Sequence, residues 1–213
     1  MKKVTLSIVL ITLTVFAGKA QSNFEKAMLP IVADIHKNSQ QMPLQPLANK
    51  MERIASVEKE EWLPNYWLAY CYSHDSFMKQ EVGEKDQLLE MAEVALAKSE
   101  AISEEENAEI AILKAQIASA RMSIDPMNRY QKYGAIFGKG LKDATNFDPN
   151  NPRIYYLQGT SAFFTPENFG GGQAVAKPLF EKALEKFDTF ELKNDMYPAW
   201  GLAETNYFLS QCK

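Results

Sequence analysis

Four small residues at nearly equal spacing, Ala69, Ala115, Gly159 and Ala203, most restrict how this chain can fold. They stand 46, 44 and 44 residues apart, and a second column, Ala55, Ser99, Ala144 and Ala183, precedes them by 14, 16, 15 and 20. Two helices approach closely only where a side chain is missing or very small. A double column of this kind is what a stack of helical hairpins produces.

The local pattern agrees. Leu88, Met91, Ala92, Ala95 and Leu96 recur at i, i+3, i+4, i+7 and i+8, and Ile110, Leu113, Ile117 and Ala120 at i, i+3, i+7 and i+10, each tracing one apolar stripe. Strand signals are scarce, with no sustained alternation and no Asn-Gly or Asp-Gly hairpin. Ser103 with Glu106 forms an S-x-x-E capping box, and Asp125-Pro126, Asn151-Pro152 and Thr165-Pro166 each place a capping oxygen before a proline at a first helical position. About nine helices are expected, with 24–37 opening the stack and 197–210 closing it.

These columns resemble the tetratricopeptide repeat, W-x2-L-G-x2-Y…A-x3-F…P, a motif with a 34-residue period. Leu68, Ala69 and Tyr72 occupy the L-G-x2-Y places of the first full repeat, with Ala92, Leu96 and Ser99 following. Gly159, Ala176, Phe180 and Ala183 serve in the third, and Leu141, Ala144 and Pro149 in the second. The opening tryptophan is replaced throughout. The stretch NPRIYYLQGTSAFFTPENFGGGQAVAKPLFEKALEKF, followed by YPAWG, further resembles helical-repeat proteins related to the periplasmic T component of TRAP transporters. The resemblance implies an all-α, right-handed superhelical solenoid of hairpins over 21–213. Between the two small columns the repeat motif takes about 19 residues, whereas here it takes 30, 29 and 24. Each hairpin is therefore lengthened internally.

The start of the sequence reads as a signal peptide over 1–20: Met1-Lys2-Lys3 is basic, Val4 to Ala17 is apolar, and Gly18-Lys19-Ala20 offers small residues before a cleavage point. No cysteine follows that point, so a lipid anchor is not expected. The expected location is the periplasm or outside the cell, with no membrane span after cleavage. Removing Lys2, Lys3 and Lys19 from the 23 basic residues leaves 20 against 27 acidic ones, a net charge of −7. Nucleic acid is a poor partner for such a surface. Cys71 and Cys212 are far apart in sequence and are expected to stay unpaired.

Chemistry-bearing patterns are weak. Gly170-Gly171-Gly172 lacks the preceding strand and the Lys-Ser/Thr of a phosphate loop. It reads instead as the corner of the third hairpin, with Phe169 folded in as a plug. Cys71, His74 and Asp75 fall short of a zinc site, since His36 is the only other histidine. Glu104-Glu105-Glu106 reads as acidic residues at a helix start, favoured by the macrodipole. No enzyme and no cofactor are expected.

What remains is a concave face. Positions 5, 9 and 12 of the first helix in each repeat include Tyr66, Tyr70, Gln116, Tyr156, Thr160, Phe163, Trp200, Glu204 and Tyr207, with Ser73, Ile112 and Ser119 beside them. Aromatics give contact area at low entropy cost. This face suits an extended segment of an envelope protein or a small amphiphilic ligand. A protein-binding scaffold is the leading expectation, and a ligand-binding accessory of a transport system is the alternative.

Overall fold

The computed structural model describes residues 22–38 and 43–213. The expected signal peptide lies outside the described residues. Among them are nine α-helices and no strand: α1 (Asn23–Asn38), α2 (Gln45–Val57), α3 (Leu63–Phe77), α4 (Val82–Ile102), α5 (Ala108–Ile124), α6 (Pro126–Phe147), α7 (Pro152–Phe164), α8 (Gln173–Phe187) and α9 (Leu202–Gln211). The helices pair as antiparallel neighbours in sequence. α3 packs on α4, α5 on α6 and α7 on α8, while α1, α3, α5 and α7 touch in succession as one row.

Two of the expected prolines open helices as read. Asp125 and Asn151 sit at the N-caps of α6 and α7, accepting from Asn128 N at 3.3 Å and Arg153 N at 3.2 Å. Thr165-Pro166 does not open an α-helix; Thr165 ends α7, its hydroxyl donating to the Ser161 carbonyl at 2.8 Å. Nor is Ser103 a cap for α5. Asn107 fills that place, its side-chain oxygen accepting from Glu109 N, and the three glutamates stand in the loop before the helix.

The extra length of the hairpins goes to different places. In the first two it lengthens the second helix, α4 having 21 residues and α6 having 22. In the third it becomes the corner, where a single 3-10 turn over Glu167–Phe169 precedes the glycines. A Cβ on Gly171 would lie 2.1 Å from the Thr165 carbonyl oxygen, and Gly172 has φ +101°, so neither place accepts a larger residue without strain. Gly172 N donates to the Ala162 carbonyl at 2.9 Å, closing the corner onto α7. Phe169 is not its plug: that ring is 76% exposed.

The small columns mark real helix crossings in the middle of the body and lapse at its ends. Ala69, Ala115, Ser99, Ala144 and Ala183 are fully buried. A Cβ on Gly159 would meet the Phe180 ring at 2.5 Å, which is how closely α8 approaches α7. Ala203 is exposed and Ala55 half-buried, so the periodicity stops before α9.

The chain departs most from a simple stack between α8 and α9. Residues 188–201 form no regular helix, and α9 begins at Leu202 rather than near 197. Pro198 supplies no backbone N–H, and Gly201 at φ +106° turns the chain into α9. This strap crosses the row of odd-numbered helices and buries Met196 and Trp200 among them. Trp67 Nε1 donates to the Met196 carbonyl at 2.9 Å, and Trp200 Nε1 donates to the Tyr66 hydroxyl at 2.8 Å.

A buried ion pair fixes the same place. Arg153 is fully buried and donates from Nε to Glu109 Oε2 at 3.1 Å, with a second bond from its Nη2 to Oε1. Asn151 Nδ2 donates to the same carboxylate at 2.7 Å. The guanidinium lies 4.8 Å from the centre of the Phe190 ring and 5.5 Å from that of Trp200, so the strap rests on the charge that joins α5 to α7.

Candidate functional site

The nine expected face residues fall into a buried cluster, two separate polar side chains and an open aromatic end. Tyr66, Tyr70 and Trp200 are buried at 0%, 3% and 5% exposure and packed on one another, Tyr70 and Trp200 with ring centres 5.5 Å apart. Tyr156 joins them edge-on to Trp200 at 6.2 Å. Burial pushes all three tyrosine phenols upward, so they stay neutral, and the Tyr66 hydroxyl accepts from Trp200 Nε1. After burial, the Glu109 carboxylate adds to the effect on Tyr66, and that of Glu204 to the effect on Tyr70 and Tyr156. Glu204 on α9 therefore adds its negative charge to the field around the same cluster. Its Oε2 also accepts from Gly201 N at 3.2 Å, fixing the strap's exit.

Two polar members of the face behave differently. The Thr160 hydroxyl is engaged by its own helix, donating to the Leu157 carbonyl at 3.0 Å. The Gln116 side chain is half-buried, and its Oε1 is buried without a hydrogen-bond partner.

The open aromatic end is that of α7–α9. Phe163 and Tyr207, both expected, meet a cluster that periodicity did not single out. Phe163 packs on Phe164 at 5.2 Å and on Phe208 at 5.4 Å; Phe208 stacks on Phe180 at 5.7 Å with planes 10° apart, and Tyr207 closes on Phe208 at 5.3 Å. Phe180 is fully buried beneath them. Phe164 is 71% and Tyr207 60% exposed, which leaves two large rings facing solvent on an aromatic base. The missed signal was adjacency: Phe163-Phe164 and Tyr207-Phe208 are aromatic pairs, and a helical register selects only one of each.

The rim of this end carries charges of both signs, Lys177 and Glu181. Cys212 packs with Ala176 and Phe180, and burial pushes its thiol up, with Lys177 opposing the shift and Glu181 adding to it. Cys71 and Cys212 are both free. Both histidines lie elsewhere in the stack, His36 on α1 edge-on to Trp67 at 5.3 Å and His74 on α3 beside Asp75. Burial first, and Arg153 second, hold His36 below its usual range, toward the neutral form. No cluster of three or more His, Cys, Asp or Glu side chains able to hold a metal occurs among the described residues, and none of their helices is long and apolar enough to cross a membrane.

No protein-family model matches the chain, and no curated protein matches it. Among solved structures, the chain is similar to the HusA haemophore from Porphyromonas gingivalis, with 34% identity over 92% of this chain and 94% of that one and a TM-score of 0.77. That relative is named as a haemophore, and the all-helical body of this chain, over its described residues, is compatible with a helical-repeat fold. At this identity over nearly the full length of both, the chain belongs to the family of the HusA haemophore.

Proposed function

We propose that this member of the haemophore's family is an exported carrier of haem or a related flat tetrapyrrole, held against the aromatic cluster of α7, α8 and α9. The carrying observation is the layered cluster itself: Phe164 and Tyr207 exposed above Phe163, Phe208 and buried Phe180. Exposed rings set edge-on to a stacked Phe180–Phe208 base present apolar faces on which a flat macrocycle can lie. Lys177 at the rim suits the propionate carboxylates such a ligand carries. Neither histidine lies in the cluster, so ring contacts are the main source of affinity, with the exposed Tyr207 phenol the cluster's own candidate to meet the iron. The basic and apolar start of the sequence supports export to the periplasm or beyond.

The test is titration with hemin, followed by Soret absorbance and tryptophan quenching, on wild type and on the Phe164→Ala/Tyr207→Ala double variant. Saturable binding weakened at least about tenfold in the double variant is expected. Unchanged affinity would remove the cluster as the site. Metal-free protoporphyrin is expected to bind within a few-fold of hemin, and loss of its binding would assign the affinity to the iron instead.

A protein scaffold remains the second reading, because exposed Phe164 and Phe169 also suit a partner segment. It predicts that an envelope protein competes with hemin. The transporter-accessory reading predicts a symmetric oligomer, which sedimentation measures directly.

A further inference from the structure

The strap has a second side. Where Trp200 and Met196 face the row of odd-numbered helices, Phe190, Lys193 and Tyr197 help to line a cleft of about 530 Å³ with Trp62 and the loop between α4 and α5. That volume is within the usual range for small-molecule sites. Its walls are aromatic: Trp62 meets Tyr197 edge-on at 5.6 Å and 85°, and Phe147 and Phe190 complete them. Seven carboxylates line it against one ammonium. Glu109 is matched by Arg153, but Glu104, Glu105 and Glu106 stand exposed in their loop.

Aromatic faces inside a negative field attract organic cations, because the ring quadrupole and the carboxylates act in the same direction. The chain already shows the interaction. The Lys193 Nζ lies 5.1 Å from the centre of the Tyr197 ring. A side-chain hydrogen bond with Tyr197 first, with the charges of Glu105 and Glu109 adding to it, holds that ammonium above its usual range. Lys193 is itself exposed on an irregular strap, so it can swing aside.

We infer that this cleft is a second binding site, separate from the aromatic cluster of α7–α9, and that it takes a small organic cation: an ammonium group on a compact apolar body. Lys193 is its resident competitor. The ammonium of the ligand sits over Tyr197 in place of Nζ, its apolar part lies against Trp62 and Phe147, and the Glu104–Glu106 loop supplies the opposing charge.

The probe is benzyltrimethylammonium, measured by calorimetry on the full chain against benzyl alcohol and benzoate. Saturable binding is expected, about tenfold tighter than for benzyl alcohol, absent for benzoate and weakened by salt. Lys193→Ala should tighten it about three- to tenfold by removing the competitor, an effect that a merely structural lysine would not give. Glu105→Gln/Glu106→Gln, in an exposed loop, should weaken it several-fold without changing the melting temperature. Hemin affinity should stay unchanged in all of these variants, which keeps this test distinct from that of the aromatic cluster. Equal binding of benzyl alcohol, no saturable heat, or unchanged or weaker affinity in Lys193→Ala would each overturn the inference.

Discussion

Two aromatic regions of this protein use similar residues to opposite ends. At the strap, Tyr66, Tyr70 and Trp200 are buried, hydrogen-bonded or stacked on one another, and set around an ion pair. At the α7–α9 end, Phe164 and Tyr207 pack edge-on against Phe208 yet stay open to solvent. What separates them is whether residues 188–201 lie over the rings. An aromatic side chain on the inner row is therefore buried or open to solvent according to its cover, and the residue type does not decide.

The sharpest way to break this comparison is Trp200→Ala. It removes a large buried ring and leaves the Tyr66 hydroxyl without its donor, so a loss of about 3–5 kcal/mol in urea unfolding is expected. Hemin affinity of the folded fraction should stay within about twofold; a collapse in affinity would move the site to the strap. Glu109→Ala should cost nearly as much, about 3–5 kcal/mol, because Arg153 is left buried without its partner. Gly159→Ala should cost about 1–3 kcal/mol, since the new methyl meets the Phe180 ring from below and must displace it. That variant also tilts the base of the open cluster, so it should weaken hemin more than Trp200→Ala does.

Phe164→Ala inverts the pattern. Its stability should stay within about 0.5 kcal/mol of wild type while hemin binding drops several-fold. The smallest effect belongs to a control away from both regions. Arg129 first, and Arg121 with it, hold the Asp86 carboxyl down at about 2. Because the folded state depresses this group, its stabilisation is complete above the ordinary carboxylate range and is lost as pH falls toward about 2. Asp86→Asn should flatten that acid limb of the stability curve without touching hemin binding.

Much of the frame was readable from the residues. Helical periodicity, Asp125-Pro126 and Asn151-Pro152 identify elements because capping and stripe formation are local. The Gly170–Gly172 corner was readable for the same reason, since a backbone conformation that excludes side chains selects glycine wherever it occurs. Tyr197–Trp200 was not. It carries apolar residues that also fit a helix, and its extended path over the row is favoured by contacts with Trp62, Tyr66 and Trp67, more than a hundred residues away. The exposure of Phe169 was equally unreadable, because which way a ring turns at a corner depends on the surfaces it can reach.

The sequence by itself determined the helices, their pairing into hairpins and the supply of aromatics along the inner row, because each follows from interactions within a few turns or from the spacing of small residues. Only the tertiary structure decided which of those aromatics remain open. The strap's position depends on a buried charge shared by α5 and α7 and on long-range hydrogen bonds to α3, and no local pattern encodes where a segment without its own periodicity comes to rest.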